Sequence, residues 1–221
     1  MGIESNILRY LLRDVYFITG TAYAGKSTMV RLLAERYDGV FCGENYHSCL
    51  EDAIDPQHQP ALCYINENTD WQAFVSRTPE EYNQWIINCG KEAAGLEIAL
   101  LLNYAAQGRK IFVDTNIPLD ILHEIADPNH VLIMLSPQDT SVNRFFERED
   151  AEKQFLYQVI MGCPEPEKVM ANFRECLRVI NSDANYKELE NSGFRCLYRD
   201  DRRTVEETLT LVCETFGLER E

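Results

Sequence analysis

Gly20 and Gly25 bracket four residues, and Lys26 and Ser27 follow directly, so the stretch Gly20-Thr21-Ala22-Tyr23-Ala24-Gly25-Lys26-Ser27 has the spacing GxxxxGKS. Glycines at those positions let the backbone curl until successive N–H groups point inward at an anion. A helix starting at the end of the curl adds its partial positive charge. In such a loop the lysine reaches the β- and γ-phosphates of a nucleotide and the serine hydroxyl takes a Mg²⁺ position, with Thr28 next in line. The flanks agree with this chemistry. Val15 to Thr19 is a short apolar, β-branched and aromatic run of the kind that forms a buried strand, and Met29 to Arg36 carries apolar residues at helical spacing.

Other residues could complete such a site. Asp114 ends the apolar run Lys110 to Asp114, where a carboxylate would come beside Lys26 and Ser27 and hold a metal directly or through water. A helix-capping role for the segment starting near Pro118 is the alternative. Arg144 and Arg148 stand four residues apart, which places both on one face of a helix. Two guanidiniums there suit a base and a transferring phosphoryl group, or salt bridges to Glu147 and Glu149 on a solvated helix. Glu44, just after the run Val40 to Cys42, could accept the proton of an acceptor hydroxyl. It could equally be a surface acid, with Asp52 or Asp114 in that role.

The elements that must position these groups alternate. A lead-in helix or cap is expected over residues 1 to 14, then a strand over Val15 to Thr19, the loop, and a helix to about Tyr37. A second strand covers Val40 to Cys42, and an irregular polar stretch runs to about Asp70. Thr78-Pro79-Glu80-Glu81 has the composition of a helix start, and that helix can continue to Gln107, bent or divided at Gly90 and Gly95. Strands follow at Lys110 to Asp114, Val131 to Leu135 and Phe194 to Tyr198. Helices are expected over Pro118 to Ala126, Gln138 to Glu149, Glu167 to Ile180, Ala184 to Glu190 and Thr204 to Phe216. Alternation of this kind implies an α/β fold with a parallel sheet and helices on both faces, in a single domain over all 221 residues.

Composition narrows the partners. A formal net charge of −15 argues against nucleic acid, which is bound through basic patches. No apolar run approaches the roughly 18 residues that span a bilayer, and the first ten residues lack the pattern of a secretory signal, so no membrane partner and a cytoplasmic location are expected. The eight cysteines show no CxxC pair and are expected as reduced, mostly buried thiols, with no metal beyond Mg²⁺. Between Phe41 and Gly90 one basic residue, Arg77, faces eight acids. If that segment walls an acceptor site, a neutral or cationic acceptor is favoured over an anion. Trp71, Phe74, Tyr82 and Trp85 could supply stacking surface there or form core.

With the glycine-rich loop, Asp114, and Pro137 followed by Arg144 and Arg148 in place, the chain resembles the P-loop kinases of small molecules, the nucleoside-monophosphate-kinase-like group that includes adenylate, shikimate and gluconate kinases. The resemblance implies a P-loop NTPase three-layer sandwich whose five-stranded parallel sheet has the order 2-3-1-4-5. It further implies ATP as donor, Arg144 stacked on adenine and Arg148 on the phosphates, and a mobile lid from Glu149 to about Pro166. Acceptor binding falls in about residues 43 to 90, with Glu44 in the region of the acceptor-binding acid, and Tyr198 to Arg203 lie near the adenine. Adenylate-type enzymes follow the aspartate of the third strand with Gly, an aromatic residue, Pro and an arginine. Here Asp114 leads to Thr115-Asn116-Ile117-Pro118-Leu119, and Leu119 has no charge with which to clamp a monophosphate.

The expected function is therefore ATP-dependent transfer of the γ-phosphate to a hydroxyl of a small neutral or cationic metabolite. Gly20 to Thr28, Arg144 and Arg148 would bind the nucleotide, Ser27 and Asp114 the metal, and Lys26, Arg148, Glu44 and Asp114 would act in transfer. The alternative is a nucleotide-dependent regulatory ATPase or switch without a small-molecule acceptor. A GTPase is disfavoured because no NKxD motif appears and Asp114 does not begin a DxxG.

Overall fold

The computed structural model describes residues 2–147 and 151–219. In chain order it contains α1 (Ser5–Leu11), β1 (Val15–Gly20), α2 (Lys26–Arg36), β2 (Val40–Cys42), α3 (Trp71–Val75), α4 (Pro79–Ala105), β3 (Ile111–Asp114), α5 (Leu119–Ile125), β4 (Val131–Leu135), α6 (Gln138–Asn143), α7 (Ala151–Met161), α8 (Pro166–Ile180), α9 (Asp183–Glu190), β5 (Arg195–Tyr198) and α10 (Val205–Phe216). Short 3₁₀ turns cover Tyr46–Ala53, Leu62–Tyr64, Pro128–His130 and Phe145–Glu147. Among the described residues no helix is long and apolar enough to cross a membrane.

The five strands form one parallel sheet in the order β2-β3-β1-β4-β5. β1 and β4 read as unbroken apolar runs because they are buried on both faces, as central strands of a parallel sheet are. The register Ile18 opposite Asp114, Gly20 opposite Met134 and Cys42 opposite Val113 brings the ends of β1, β2, β3 and β4 to one edge.

The chain divides into two compact units. The first holds the residues up to Ala53, Ala93–Ser136 and those from Glu188 onward; the second holds Ile54–Glu92 and Pro137–Lys187. In the first, Tyr16, Ile18, Phe112, Leu132 and Met134 of the sheet pack with Met29, Val30 and Leu33 of α2 and with Leu209, Val212 and Phe216 of α10. A capping box starts α10: Thr204 takes the Glu207 N–H while the Glu207 carboxylate takes the Thr204 N–H.

The second unit is built on rings. Phe74, Tyr82 and Phe173 are buried with Val75, Ile160, Cys176 and Leu177, and Trp71 and Trp85 pack against them. Phe74 makes edge contacts with Trp71 at 5.6 Å and Trp85 at 5.0 Å between centroids.

Two expectations are corrected here. α4 runs unbroken from Pro79 to Ala105, so neither Gly90 nor Gly95 divides it; neither has the positive φ of a helix terminator. The helix after β4 stops at Asn143 instead of continuing to Glu149, and Arg144 caps it at φ −102° and ψ 6°, followed by a 3₁₀ turn. Arg144 therefore lies just past the end of α6, and Arg148 lies outside the described residues. Residues 43 to 90, expected to bind the acceptor, are divided between the units, those up to Ala53 in the first and the rest in the second. Of the segment expected as a lid, 151–161 forms α7, and its Ile160 is fully buried; Glu149 and Asp150 lie outside the described residues.

Candidate functional site

The loop between β1 and α2 is shaped by left-handed backbone at Tyr23 (φ 65°) and Gly25 (φ 93°) and by Gly20 at φ 124°. Gly20 admits no side chain, since a Cβ there would lie 2.1 Å from the Met134 carbonyl oxygen on the neighbouring strand. The loop is tied to the end of β4 at several points. Thr21 N–H donates to Met134 O at 3.0 Å. Ser136 N–H donates to Thr21 Oγ1 at 2.7 Å, and the Ser136 hydroxyl donates to Ala22 O at 2.7 Å. Arg199, past the end of β5, donates its guanidinium to the Tyr23 carbonyl. These bonds consume carbonyls and hydroxyls, while the first N–H groups of α2, at Lys26, Ser27 and Thr28, have no intrahelical acceptor. An anion is the partner such a set of donors suits.

Lys26 begins α2 and is buried to 9% exposure. Its Nζ donates to Thr21 O at 3.2 Å and lies 3.9 Å from Asp114 Oδ1. Ser27 Oγ donates to Asp114 Oδ2 at 2.5 Å. Asp114 is 1% exposed, and its Oδ1 is buried with no hydrogen-bond partner among the described residues. Burial pushes the Asp114 carboxyl above its ordinary value of 3.8; Lys26 and the Ser27 hydroxyl pull it down, and Glu44 and Glu97 push it up again.

That shift has a measurable consequence in metal-free protein. A carboxyl whose pKa is raised on folding adds stability below its unfolded pKa and loses it as pH rises through the folded value. Wild type is expected to lose stability relative to Asp114→Asn as pH rises above the ordinary carboxyl value of 3.8, read from urea midpoints. Parallel curves would show that Asp114 is not perturbed.

The structure brings the sequence candidates together unequally. Gly20 to Ser27 and Asp114 form one site, with Thr28 half-buried in the first turn of α2. Glu44 is an exposed turn residue that acts on Asp114 through its charge, and Asp52 is exposed. Arg144 belongs to the second unit, where its guanidinium lies 3.9 Å from Glu147, an exposed pair. Arg148 lies outside the described residues. Arg77 is packed in the second unit over the rings of Tyr64 at 4.0 Å, Phe74 at 5.0 Å and Trp85 at 5.4 Å. It lines a cleft of about 630 Å³ with Tyr64, Trp85 and Glu92. Phe74 and Tyr82 are core.

Sequence reasoning missed Glu97 and His47. Glu97 is 2% exposed on α4; its Oε1 lies 2.9 Å from His47 Nδ1 and its Oε2 accepts the Thr115 hydroxyl at 3.0 Å. One signal pointed to it: Glu97 is the only charged residue from Ala93 to Gly108, in a run otherwise rich in Ala and Leu. A lone carboxylate there must find partners when buried. All eight cysteines are free thiols, four of them buried; the Cys42 thiol is pushed up to about 12, by burial first and then by Glu97 and Cys49.

Comparison with protein-family models, curated proteins and solved structures gives no match for this chain.

Proposed function

We propose that the chain is an ATP-dependent phosphotransferase of the P-loop NTPase type, a three-layer sandwich that moves the γ-phosphate to a hydroxyl of a small neutral or cationic metabolite. The observation that carries this is the pairing of Ser27 Oγ with Asp114 Oδ2 at 2.5 Å, with Lys26 Nζ 3.9 Å from the buried Oδ1, which accepts no hydrogen bond among the described residues. A buried carboxylate oxygen without a hydrogen-bond donor, next to a hydroxyl and a lysine at the mouth of an anion-accepting loop, fits a Mg²⁺-nucleotide site. Ser27 and Asp114 would hold the Mg²⁺, which supplies charge neutralisation to the phosphates when bound.

The chain's own groups do the rest. The amides of the loop and of the α2 N-terminus bind the phosphates, and Lys26 stabilises the charge that develops on the transferred group. Glu44 and Glu97 both act on Asp114 as negative charges, and residues 40 to 53 contain no lysine or arginine. An anionic acceptor approaching that edge would meet repulsion, which supports a neutral or cationic one.

The test is ADP release from purified protein with ATP and Mg²⁺ across a panel of alcohols, sugars, nucleosides and aminoglycosides. Release that depends on one acceptor class is expected. Slow release that no acceptor changes would replace the transferase with a nucleotide-dependent regulatory ATPase.

A further inference from the structure

β2 ends at Cys42, whose partner Val113 directly precedes Asp114. The turn that carries Gly43 to His47 therefore leaves the sheet beside the metal-binding carboxylate, at the edge where open parallel sheets bind ligands. His47 does not stand there loosely. Its Nδ1 is 2.9 Å from Glu97 Oε1, its side chain keeps 15% of its surface exposed, and Glu97 keeps 2%. The other Glu97 oxygen takes the Thr115 hydroxyl at 3.0 Å, and Thr115 Oγ1 accepts the Ile117 N–H at 3.0 Å, so the carboxylate is fixed from the loop that follows Asp114. Tyr46, next to His47, buries its hydroxyl near Glu97, and burial first and then the Glu97 charge push its pKa up.

An ionised carboxylate only accepts, so the proton of a neutral His47 ring sits on Nδ1, toward Glu97. The lone pair is then on Nε2, for which no protein partner occurs among the described residues. A base held in one tautomer by a buried acid is the arrangement that activates hydroxyl nucleophiles. Glu44, by contrast, is exposed.

The geometry points to His47 as the general base of the transfer, with Glu97 as its positioning residue; this rests on the phosphotransferase reading above. The acceptor oxygen forms its bond to the γ-phosphorus while the bond from that phosphorus to the β–γ bridging oxygen breaks. The electron pair of the broken bond leaves with ADP. The hydroxyl proton passes to His47 Nε2, and the imidazolium so formed is balanced by Glu97.

The experiment compares acceptor-dependent ADP release by wild type, His47→Gln, His47→Ala and Glu97→Gln, alongside ATP affinity and thermal stability of each. His47→Gln is expected to lose about 10²-fold in kcat with ATP affinity within about twofold of wild type, since no nucleotide contact is removed. Added imidazole should restore turnover to His47→Ala, which a purely structural histidine would not allow. Glu97→Gln should fall between wild type and His47→Gln. Wild-type transfer matched by His47→Gln overturns the base role alone, and so does a folded, inactive His47→Ala that imidazole leaves inactive. A wild type without acceptor-dependent release overturns the phosphotransferase reading and the base role with it. Should His47→Gln not fold, wild type is treated with diethyl pyrocarbonate and His47 modification is followed by peptide mass spectrometry. Activity lost in step with His47 supports the role, and full activity with His47 modified overturns it.

Discussion

Lys26→Met is expected to lower ATP-dependent turnover by about 10²- to 10³-fold while leaving the protein folded. Methionine keeps the length and apolar stem that fill a position exposed to only 9%, so packing is largely preserved. What is lost is the charge. In the free protein Lys26 is the strongest influence holding the Asp114 carboxyl down, ahead of the Ser27 hydroxyl. Without it, burial and the charges of Glu44 and Glu97 stand less opposed, and Asp114 becomes a poorer partner for a cation. With nucleotide bound, the same ammonium would neutralise the transferring phosphoryl group, an interaction that strengthens as charge develops. Loss should therefore fall mainly on kcat, with a smaller effect on ATP affinity. The measurement is ADP release by Lys26→Met with the best acceptor of the wild-type panel, with circular dichroism as the control on folding. Turnover within threefold of wild type would remove Lys26 from the chemistry and with it the main support for phosphoryl transfer.

Gly20→Ala is expected to destabilise the first unit by about 3–5 kcal/mol, the sum of two costs. The first is backbone strain: Gly20 sits at φ 124°, a conformation that L side chains rarely adopt. The second is overlap, because the added Cβ would lie 2.1 Å from Met134 O and 2.9 Å from the Met134 carbonyl carbon. These atoms belong to β4, which is fixed by its pairing with β1 and β5, so the neighbour cannot yield as a flexible side chain would. Relief requires β1 and β4 to part at the point where Thr21 N–H meets Met134 O. Urea denaturation of wild type and variant measures this directly. A loss under about 1 kcal/mol would show that the strand ends relax far more readily than their register implies.

The two substitutions probe the same loop through different physics, and they differ in how visible they were beforehand. The need for glycine at Gly20 is legible in the spacing of Gly20, Gly25, Lys26 and Ser27, but the reason is not. The position is closed by Met134, which lies on a strand more than a hundred residues later and becomes a neighbour only because β4 pairs with β1. Asp114 was similarly half legible. Its place at the end of an apolar run marks it as an edge carboxylate, and the bond to Ser27 spans 87 residues.

Where the sequence reading departs from the structure, a local signal was outweighed or absent. Gln138 to Glu149 reads as one helix, yet α6 ends at Asn143 and a 3₁₀ turn takes over at Phe145. Gly90 and Gly95 are weak helix formers, yet α4 passes through both because long helices are held by packing.

The amino-acid sequence by itself determined the alternation of strands and helices, the parallel sheet, and the glycine-rich loop at a strand-to-helix turn. Each of these is encoded by neighbours a few residues apart, through periodicity, backbone preference and capping. Tertiary structure alone decided which polar groups meet. His47 and Glu97 are 50 residues apart and reside on a turn and in the middle of a long helix, and no spacing rule connects them. They are brought together because β2 pairs with β3 and the second half of α4 lies against the end of that pair, where a buried carboxylate must find donors or not be buried at all.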